Sequence, residues 1–495
     1  MFKKNLTLFA LIIFSILHSQ NEIDALRFSL FNNYNTAGIS ALGGAGGLLS
    51  PSQNPASLAF FSGDRLLSVS LGNSDTSIET TYLDTENIYE PFDINPFIQN
   101  IGYVSALPFA TNNDWNKINM AISFNRKYDF NKNMIISGYN NASSMTNMFL
   151  NSAQGLTPDE LNWFDDYLAW YTYLIDTIPN WNGVGPNTSY QSSVYSEGNN
   201  QIQEIYEDGY INEVDVAFSG AYKDFLFVGA SIGITEIKFI QTIKYAEYGF
   251  EEIDEIPSRQ LESFRYNQTL ETYGEGMNFK FGTFIKPTSF LRLGWAYHSK
   301  TYTQLSEGFR ANMTTNFFNF NQEYIEVAGG SEAPYRLSTP AKSIASVGLI
   351  GSYKKLRMLM TFDYEMIDYG SSDFSPNFNH TFSQENQNIS DIYAKTNNTK
   401  LGISCSMNNI SIRGGYSIFG GPFKNDLYEN NGEKEYISAG LGFKKGQYSF
   451  DIAMIHCKQN EDYILYQDPT LESPDQIANI IHESNTVILT CNYKF

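Results

Sequence analysis

The residues whose chemistry could support catalysis or metal binding are few in this chain and widely separated. Four histidines follow the N-terminal region, namely His298, His380, His456 and His482. None of them lies in a His-Glu-x-x-His pattern, and the chain has no Cys-x-x-Cys pattern. A catalytic or metal site needs side chains that converge. We therefore expect no catalytic residue, no metal site and no cofactor, and we expect the chain not to be an enzyme.

Many of the remaining charged residues alternate with apolar residues along short segments. Such alternation is typical of β-strands, in which successive side chains point to opposite faces. An acid–base role for the charged residues is one interpretation. The other, which we favour, is a network of ion pairs that lines the interior of a barrel. The polar residues assigned to that interior are Arg292, His298, Arg357, Asp363, Glu365, Arg413 and Asp451.

Fourteen segments with this alternation run through the chain, each about ten residues long, which is the length of a tilted strand that spans a membrane. Tight turns such as Lys286-Pro287-Thr288 alternate with long polar insertions such as 128–210 and 238–274. Outer-membrane barrels sort their connections in this way, whereas soluble β-sandwiches do not. The segments are 64–72, 97–108, 116–127, 211–221, 224–237, 275–286, 289–302, 341–353, 355–367, 398–407, 409–419, 434–444, 447–458 and 485–495.

The composition also indicates a barrel in the outer membrane. Aromatic residues make up 15% of the chain and charged residues only 17%, against about 25% charged residues in soluble domains. Residues 1–19 have the features of a signal peptide, with Lys3 and Lys4 before a short apolar run. No later apolar run reaches the ~20 residues of a membrane helix. The formal net charge of −21 argues against nucleic acid as a partner.

The last predicted strand indicates which face points to lipid. Its apolar residues Val487, Leu489, Cys491, Tyr493 and Phe495 all fall on one parity. An apolar parity that ends in a terminal aromatic residue is typical of a strand that closes a barrel against its first strand. We therefore expect these side chains to face the lipid of the outer membrane.

A glycine-rich segment, residues 24–61, precedes the first predicted strand. Glycine at this density disfavours helix and strand, and each proline removes an amide donor. Because the segment is also partly apolar, it must be buried, either as an arm on the outside of a domain or as a plug inside the pore. We predict a signal peptide (1–19), a hatch (20–63) and a barrel (64–495). The residues assigned to the hatch and its gating are Gly43, Gly44, Gly46, Gly47, Asn54, Pro55 and Ala56.

The longest insertion, about 128–210, contains one predicted helix. Thr157 and Glu160 form a capping-box pattern around Pro158, and Pro179 would end the helix. One interpretation is that its aromatic side chains pack the helix onto neighbouring loops. The other is that they form an extracellular surface that captures an apolar ligand. These residues are Trp163, Phe164, Tyr167, Trp170 and Tyr171.

Three motifs resemble those of the FadL/TodX family of outer-membrane transporters for long-chain fatty acids and other hydrophobic compounds. They are the hatch with Asn54-Pro55-Ala56, the run Leu-Arg-Leu-Gly-Trp-Ala-Tyr-His-Ser at 291–299, and Ile412-Arg413-Gly414-Gly415-Tyr416. Residues 21–27 look like the mature start of a Bacteroidota-type branch. The resemblance covers the mature chain and implies a fourteen-stranded barrel whose hatch closes the periplasmic side. Residues 48–51 depart from the acidic, small-residue run that many members have before this Asn-Pro-Ala.

The resemblance implies passive uptake of a hydrophobic small molecule by a monomer in the outer membrane of a Gram-negative bacterium. Long-chain fatty acids are the expected substrate. The alternative is a barrel that is the partner of an assembly or secretion system, or a receptor that binds protein through its long loops. Ligand in the purified protein would favour transport, and co-purifying protein subunits would favour assembly.

Overall fold

The computed structural model is an all-β barrel with few helices. It describes residues 22–91, 94–107, 114–178, 189–196, 198–254, 259–318, 320–328, 332–376, 381–424, 431–471 and 475–495. The predicted signal peptide, Pro179 and His380 lie outside these ranges. Among the described residues, no helix is long and apolar enough to cross a membrane.

The strands in chain order are β1 (Arg65–Tyr82), β2 (Thr85–Tyr89), β3 (Phe97–Leu107), β4 (Trp115–Asp129), β5 (Lys132–Asn140), β6 (Ile175–Thr177), β7 (Tyr190–Ser192), β8 (Asn199–Tyr222), β9 (Leu226–Tyr248), β10 (Leu261–Ile285), β11 (Leu291–His298), β12 (Tyr302–Phe317), β13 (Phe320–Ala328), β14 (Glu332–Ser338), β15 (Lys342–Tyr353), β16 (Leu356–Asp368), β17 (Asp373–Phe374), β18 (Lys395–Met407), β19 (Ile410–Phe419), β20 (Asn431–Lys445), β21 (Tyr448–Gln467) and β22 (Asp475–Lys494). The helices are α1 (Glu22–Arg27), α2 (Ala37–Ser40), α3 (Thr146–Ala153), α4 (Asp166–Tyr171) and α5 (Ser383–Ile392). Short 3₁₀ turns occur at Pro55–Phe60, Pro158–Glu160 and Tyr369–Ser371.

Fourteen of these strands pair side by side, each antiparallel to the next, and close into a ring. β1 and β22 close the ring in one continuous register, from Leu66 opposite Lys494 to Thr81 opposite Asn479. The fourteen-stranded barrel predicted from the sequence is therefore confirmed. The ring runs β1, β3, β4, β8, β9, β10, β11, β15, β16, β18, β19, β20, β21 and β22.

Several strands continue far into the insertions that were predicted to be connections, and that part of the prediction is wrong. β8, β9 and β10 are 24, 23 and 25 residues long. The N-terminal part of β10 pairs with β12 rather than with β11, which extends the wall on one side of the ring. Most of the predicted connection 238–274 is therefore strand. The same holds for 303–340, the connection between the predicted strands 289–302 and 341–353.

The reason for this error is that the polarity of the two strand faces reverses along β9. In its first half Ile232 and Ile234 point outward and are exposed, while Ser231 and Thr235 point inward and are buried. Near its end Lys244 is exposed and Tyr245 is only 2% exposed. The first part has the apolar outer face of a strand in lipid, whereas the second part has a polar outer face and packs against loops on its inner face. The alternation of apolar outer residues with polar inner residues therefore ends before β9 ends.

The predicted extracellular helix between Thr157 and Pro179 is also wrong as a single element. The Glu160 carboxylate accepts hydrogen bonds from the backbone N–H and the hydroxyl of Thr157, each at 2.9 Å, but the turn that follows spans only Pro158–Glu160. Helix α4 begins separately, where the Asp165 carboxylate accepts the backbone N–H of Asp166 at 2.5 Å. It ends before Tyr173, whose φ of 61° is left-handed. The segment that was predicted to be one helix therefore contains two short elements, each with its own cap at Thr157 or Asp165.

We expect the C-terminal residue to be needed for assembly of the barrel. The Phe495 backbone N–H donates to the Arg65 carbonyl at 3.1 Å, so it adds a hydrogen bond to the β1–β22 closure. Its ring is 52% exposed and packs edge-on against Tyr493 with the ring centroids 4.6 Å apart. Deletion of Phe495 should lower the yield of heat-modifiable barrel in the membrane. Phe290→Ala, which removes an equally exposed ring from a tight turn, is the control; equal yields for the two variants would contradict the prediction.

Candidate functional site

Residues 22–61 contact inward-facing side chains of strands around the ring. The Thr490 hydroxyl accepts the Ala37 N–H at 2.7 Å, and the Asp363 carboxylate accepts the Gly47 N–H at 2.8 Å. Further hydrogen bonds to wall residues join Gly43 N to Ser438 Oγ at 2.9 Å, Asn119 Nδ2 to Leu58 O at 2.8 Å, and His298 Nε2 to Gln53 O at 2.7 Å. These contacts come from β4, β11, β16, β20 and β22, which lie on different sides of the ring.

The segment owes its path to a few residues with special backbone roles. Gly43 and Gly44 have φ values of 66° and 67°, a left-handed conformation that glycine adopts without steric cost. The Asn33 side-chain amide donates to the Gly43 carbonyl at 2.6 Å and to Ser417 Oγ at 2.7 Å. Asn54 is fully buried, and its side-chain oxygen accepts the Ala56 N–H at 3.0 Å, which starts the turn Pro55–Phe60. Glycine and Asn-Pro are therefore required by the local geometry.

The barrel wall also carries glycines where the segment approaches it most closely. A Cβ at Gly415 would lie 1.9 Å from the Gly43 nitrogen, and one at Gly282 would lie 1.9 Å from the Asn54 side-chain oxygen. Real Cβ atoms do not approach other heavy atoms below about 3 Å, so these positions admit only glycine unless the segment moves. We call this set the wall glycines: Gly229, Gly282, Gly348, Gly402, Gly415 and Gly440.

A cavity of about 90 Å³, here called the chamber, lies between the segment and the wall. The apolar residues that line it are Phe28, Leu30, Phe31, Ile211, Ile237 and Ile367. The polar residues that line it include Lys127, Glu213, Asn278, Lys280, His298, Thr301, Thr303 and Lys342. Phe28 also packs edge-on against Phe130 and Phe239, with ring centroids 6.4 and 6.3 Å apart. The N-terminal segment therefore supplies one wall of the chamber.

Several of the polar residues that line the chamber form ion pairs. Lys280 Nζ lies 2.6 Å from Glu213 and 2.5 Å from Asp215, and Lys127 Nζ lies 3.1 Å from Glu213. Lys342 Nζ lies 3.2 Å from Glu365. Of these residues, only Glu365 was among the polar residues selected from the sequence. Glu213, Asp215, Lys280 and Lys342 alternate with outward-facing residues in the sequence. This alternation alone could have assigned these four residues to the inner face.

The other selected polar residues lie at separate places. Arg413 Nη1 is 2.6 Å from Asp451 Oδ1, and this pair lies beside Gly38 of the N-terminal segment. Arg292 donates to the carbonyls of Thr288, Ser289 and Leu291 in its own turn. Arg357 is exposed at the end of the turn between β15 and β16. Across the part of the chain that the structure describes, no group of three or more His, Cys, Asp or Glu side chains could hold a metal ion.

Comparison with known proteins rests on structure. No family model matches the chain, and no curated protein matches it. The crystal structure of a Pseudomonas aeruginosa FadL homologue covers 94% of this chain and 100% of its own, with a TM-score of 0.54 and 14% sequence identity. A deletion mutant of the TodX monoaromatic hydrocarbon channel covers 94% and 99%, with a TM-score of 0.50 and 12% identity.

The chain has the FadL-type fold. The likeness extends along nearly the full length of both chains. The sequence resemblance to the FadL/TodX family is thus confirmed for the fold.

In this FadL-type barrel, the aromatic residues selected between β5 and β6 fall into two groups by their burial. The Trp163 and Tyr167 rings stack with centroids 4.3 Å apart, and Trp163 and Tyr171 are 51% and 50% exposed. Phe164 instead packs inward, with its ring centroid 5.2 Å from that of Phe309, and Trp170 is half-buried in the same cluster. Packing therefore accounts for Phe164 and Trp170, whereas Trp163 and Tyr171 are exposed on either side of the half-buried Tyr167.

We expect residues 146–171 of this FadL-type barrel to lose stability as pH rises. Burial, and then the neighbouring Asp166, raise the pKa of Asp165 to about 8, and burial raises the pKa of Asp166. A carboxyl whose folded-state pKa is raised favours folding below its unfolded pKa of about 4. That contribution is lost between about pH 4 and the folded value. Amide hydrogen exchange of residues 146–171, corrected for intrinsic rates, should therefore accelerate between pH 5 and 9.

Asp166→Asn is the matched variant for this pH dependence, because it removes one of the two buried charges and keeps the side-chain oxygen that faces Ser152 at 2.7 Å. Protection of residues 146–171 in this variant should depend less on pH than in the unmodified chain. An identical pH dependence in both proteins would contradict the assignment to this aspartate pair.

Proposed function

We propose that the chain is an outer-membrane channel for the passive uptake of hydrophobic small molecules. The observation that carries this proposal is the half-apolar chamber between the N-terminal segment and the barrel wall. The shared fold supports it, since one matched structure is a FadL homologue and another is described as a monoaromatic hydrocarbon channel. Long-chain fatty acids, the substrate predicted from the sequence, are the first ligands to test.

In this proposal the parts of the molecule act in sequence. The exposed edge of Trp163, Tyr167 and Tyr171 first collects the ligand from the medium, because burial of apolar surface yields about 25 cal/mol per Å². The chamber then holds it inside the barrel. Residues 20–63 act as the hatch, which blocks the pore to water and polar solutes and shifts to release the ligand. The driving force is the concentration gradient alone.

Two measurements test the proposal. Lipid extraction and mass spectrometry of the purified protein should yield a hydrophobic compound at near-stoichiometric amount. Cells that express the chain should take up a radiolabelled hydrophobe faster than cells that lack it, and the double variant Trp163→Ser/Tyr171→Ser should take it up more slowly than the unmodified chain. Equal uptake with and without the chain would overturn the proposal. Stoichiometric co-purification of protein subunits would support the alternative of an assembly partner.

The proposed localisation predicts the side from which each connection can be labelled. Gln387 is exposed on α5, within a long connection, whereas Lys354 is exposed in the tight turn between β15 and β16. Short turns of outer-membrane barrels face the periplasm. A tag at Gln387 should therefore be detected on intact cells, and a tag at Lys354 only after the outer membrane is permeabilised. Detection of Lys354 on intact cells would show the opposite orientation.

A further inference from the structure

The charges around the chamber are balanced by the chain itself. The lysines that line it are Lys127, Lys280 and Lys342, and Lys400 lies next to them on β18. Lys127 and Lys280 contact Glu213, and Lys280 also contacts Asp215. Lys342 and Lys400 both contact Glu365, at 3.2 and 3.6 Å, and Asp363 stands directly opposite Lys400 in the strand register. Four ammonium groups thus face four carboxylates.

Most side chains of these pairs are buried, whereas Lys127 and Lys342 are 25% and 16% exposed. The side chains of Lys280, Glu213 and Asp215 are 1%, 4% and 2% exposed, and those of Lys400 and Glu365 are 4% and 1% exposed. Removal of a charge from water is costly unless an opposite charge compensates it. An anion that entered the chamber would find every lysine already compensated and would add an unbalanced negative charge beside Glu213 and Glu365.

We propose that the chamber selects uncharged hydrophobic molecules and disfavours those with an anionic head group. The inference rests on the proposed function and specifies its substrate class. Apolar atoms of the ligand would contact Ile211, Ile237 and Ile367, and a neutral hydroxyl could bond to Asn278 or Thr303 without disturbing an ion pair. On this basis long-chain fatty acids, in their ionised form, are poorer ligands than neutral compounds of the same chain length.

The size of the chamber adds a requirement. An apolar cavity of about 150 Å³ binds benzene, whereas the chamber measures only about 90 Å³, which is too small for a ligand with a long alkyl chain. A ligand must therefore replace part of the chain, and the rings of Phe28 and Phe31 are the apolar groups that border the space. Lys342 Nζ lies 3.9 Å from the centroid of the Phe31 ring, so displacement of Phe31 also removes a favourable contact of that lysine. After that displacement, the ion pair with Glu365 is the interaction that still stabilises the Lys342 ammonium group.

The test compares two ligands that share a twelve-carbon chain and carry a neutral or an anionic head group. Equilibrium binding of dodecanol and of dodecyl sulfate, which stays anionic at all relevant pH values, is measured on the full chain in nanodiscs and corrected with empty nanodiscs. The unmodified chain should bind dodecanol about tenfold more tightly than dodecyl sulfate, a difference of ~1.4 kcal/mol. Glu365→Gln releases Lys342 and Lys400 but keeps the oxygen that accepts the Asn398 amide at 2.7 Å. This variant should bind dodecyl sulfate about tenfold more tightly than the unmodified chain does, with dodecanol unchanged.

Two further variants complete the test. Glu275→Gln removes an exposed, outward-facing carboxylate of β10 and should change neither affinity. Lys342→Met leaves Glu365 with Lys400 as its remaining lysine partner, so this variant should bind dodecyl sulfate no more tightly than the unmodified chain does. Tighter binding of dodecyl sulfate in Lys342→Met, or tighter binding of dodecyl sulfate than of dodecanol by the unmodified chain, would overturn the inference but not the proposed function. Failure of both ligands to bind above empty nanodiscs would overturn the proposed function and the inference with it.

Discussion

Removal of residues 24–61 should convert the closed barrel into an open, water-filled pore. The fourteen ring strands hydrogen-bond to one another, and β1 begins at Arg65, so the deletion removes no strand. The inward positions it exposes include Asp363, Ser438 and Thr490, which are polar and accept water in place of the segment. A barrel of this strand number is wide enough to hold water once its contents are removed.

Planar-bilayer recordings of the deletion variant should show a large, steady conductance that the full chain lacks. Liposomes containing it should also release small polar solutes. Folding is checked separately by the heat-modifiable mobility of the barrel, so a misfolded variant is recognised. If the deletion variant folds and its conductance equals that of the full chain, the segment does not block the pore, and the hatch role proposed for residues 20–63 is wrong.

Gly415→Val should release the hatch from the wall without removing it. The added side chain would need the space of the Gly43 nitrogen, which would lie 1.9 Å from the new Cβ, and of the Leu42 carbonyl carbon at 2.2 Å. Backbone atoms cannot rotate away, and overpacking of this kind costs about 1–3 kcal/mol. Because the β-ladder around Gly415 is shared with β18 and β20, we expect the hatch to yield rather than the strand.

The neighbouring residue supplies the matched control. A Cβ at Gly414 would have a single neighbour, the Ser438 carbonyl oxygen at 3.9 Å. Gly414→Val makes the same chemical change in the same strand with no clash against residues 22–61. Gly415→Val should raise polar-solute leakage and make residues 33–61 accessible to protease, whereas Gly414→Val should behave like the unmodified chain. Equal leakage from both variants would mean that contact with the wall glycines does not hold the hatch in place.

Much of the barrel could be predicted from the sequence because one physical rule repeats fourteen times. Lipid outside and polar groups inside predict an alternation that is visible in segments as short as 64–72. The rule fails where the surroundings change. Beyond the membrane the inner face of β9 becomes apolar at Phe239 and Tyr245, so the extension of the strand was missed. The helix α4 was misjudged because its start depends on a local cap at Asp165 that no periodicity shows.

The ion pairs beside the chamber could be predicted only in part. Alternation along β8 and β10 assigns Glu213, Asp215 and Lys280 to the inner face. It does not show that they meet, because β9 lies between those two strands and the contact crosses it. Such pairs depend on the curvature of the ring and on the register of three strands together. The role of the wall glycines was hidden for the same reason, since each is defined by a contact with a residue hundreds of positions away.

The close fit between the wall glycines and the N-terminal segment has a consequence for the order in which the molecule is made. The backbone of the segment contacts the wall backbone at Gly229, Gly402 and Gly415, which leaves little clearance for threading it into a ring that has already closed. We therefore expect the segment to lie between the strands while they are still a curved, open sheet, and the pairing of β1 with β22 then to enclose it. These residues precede β1 in the chain, so in the proposed outer-membrane channel they would leave the cytoplasm before any strand. Under that proposal we expect insertion to yield a barrel that is blocked from its first moment, with no leaking intermediate.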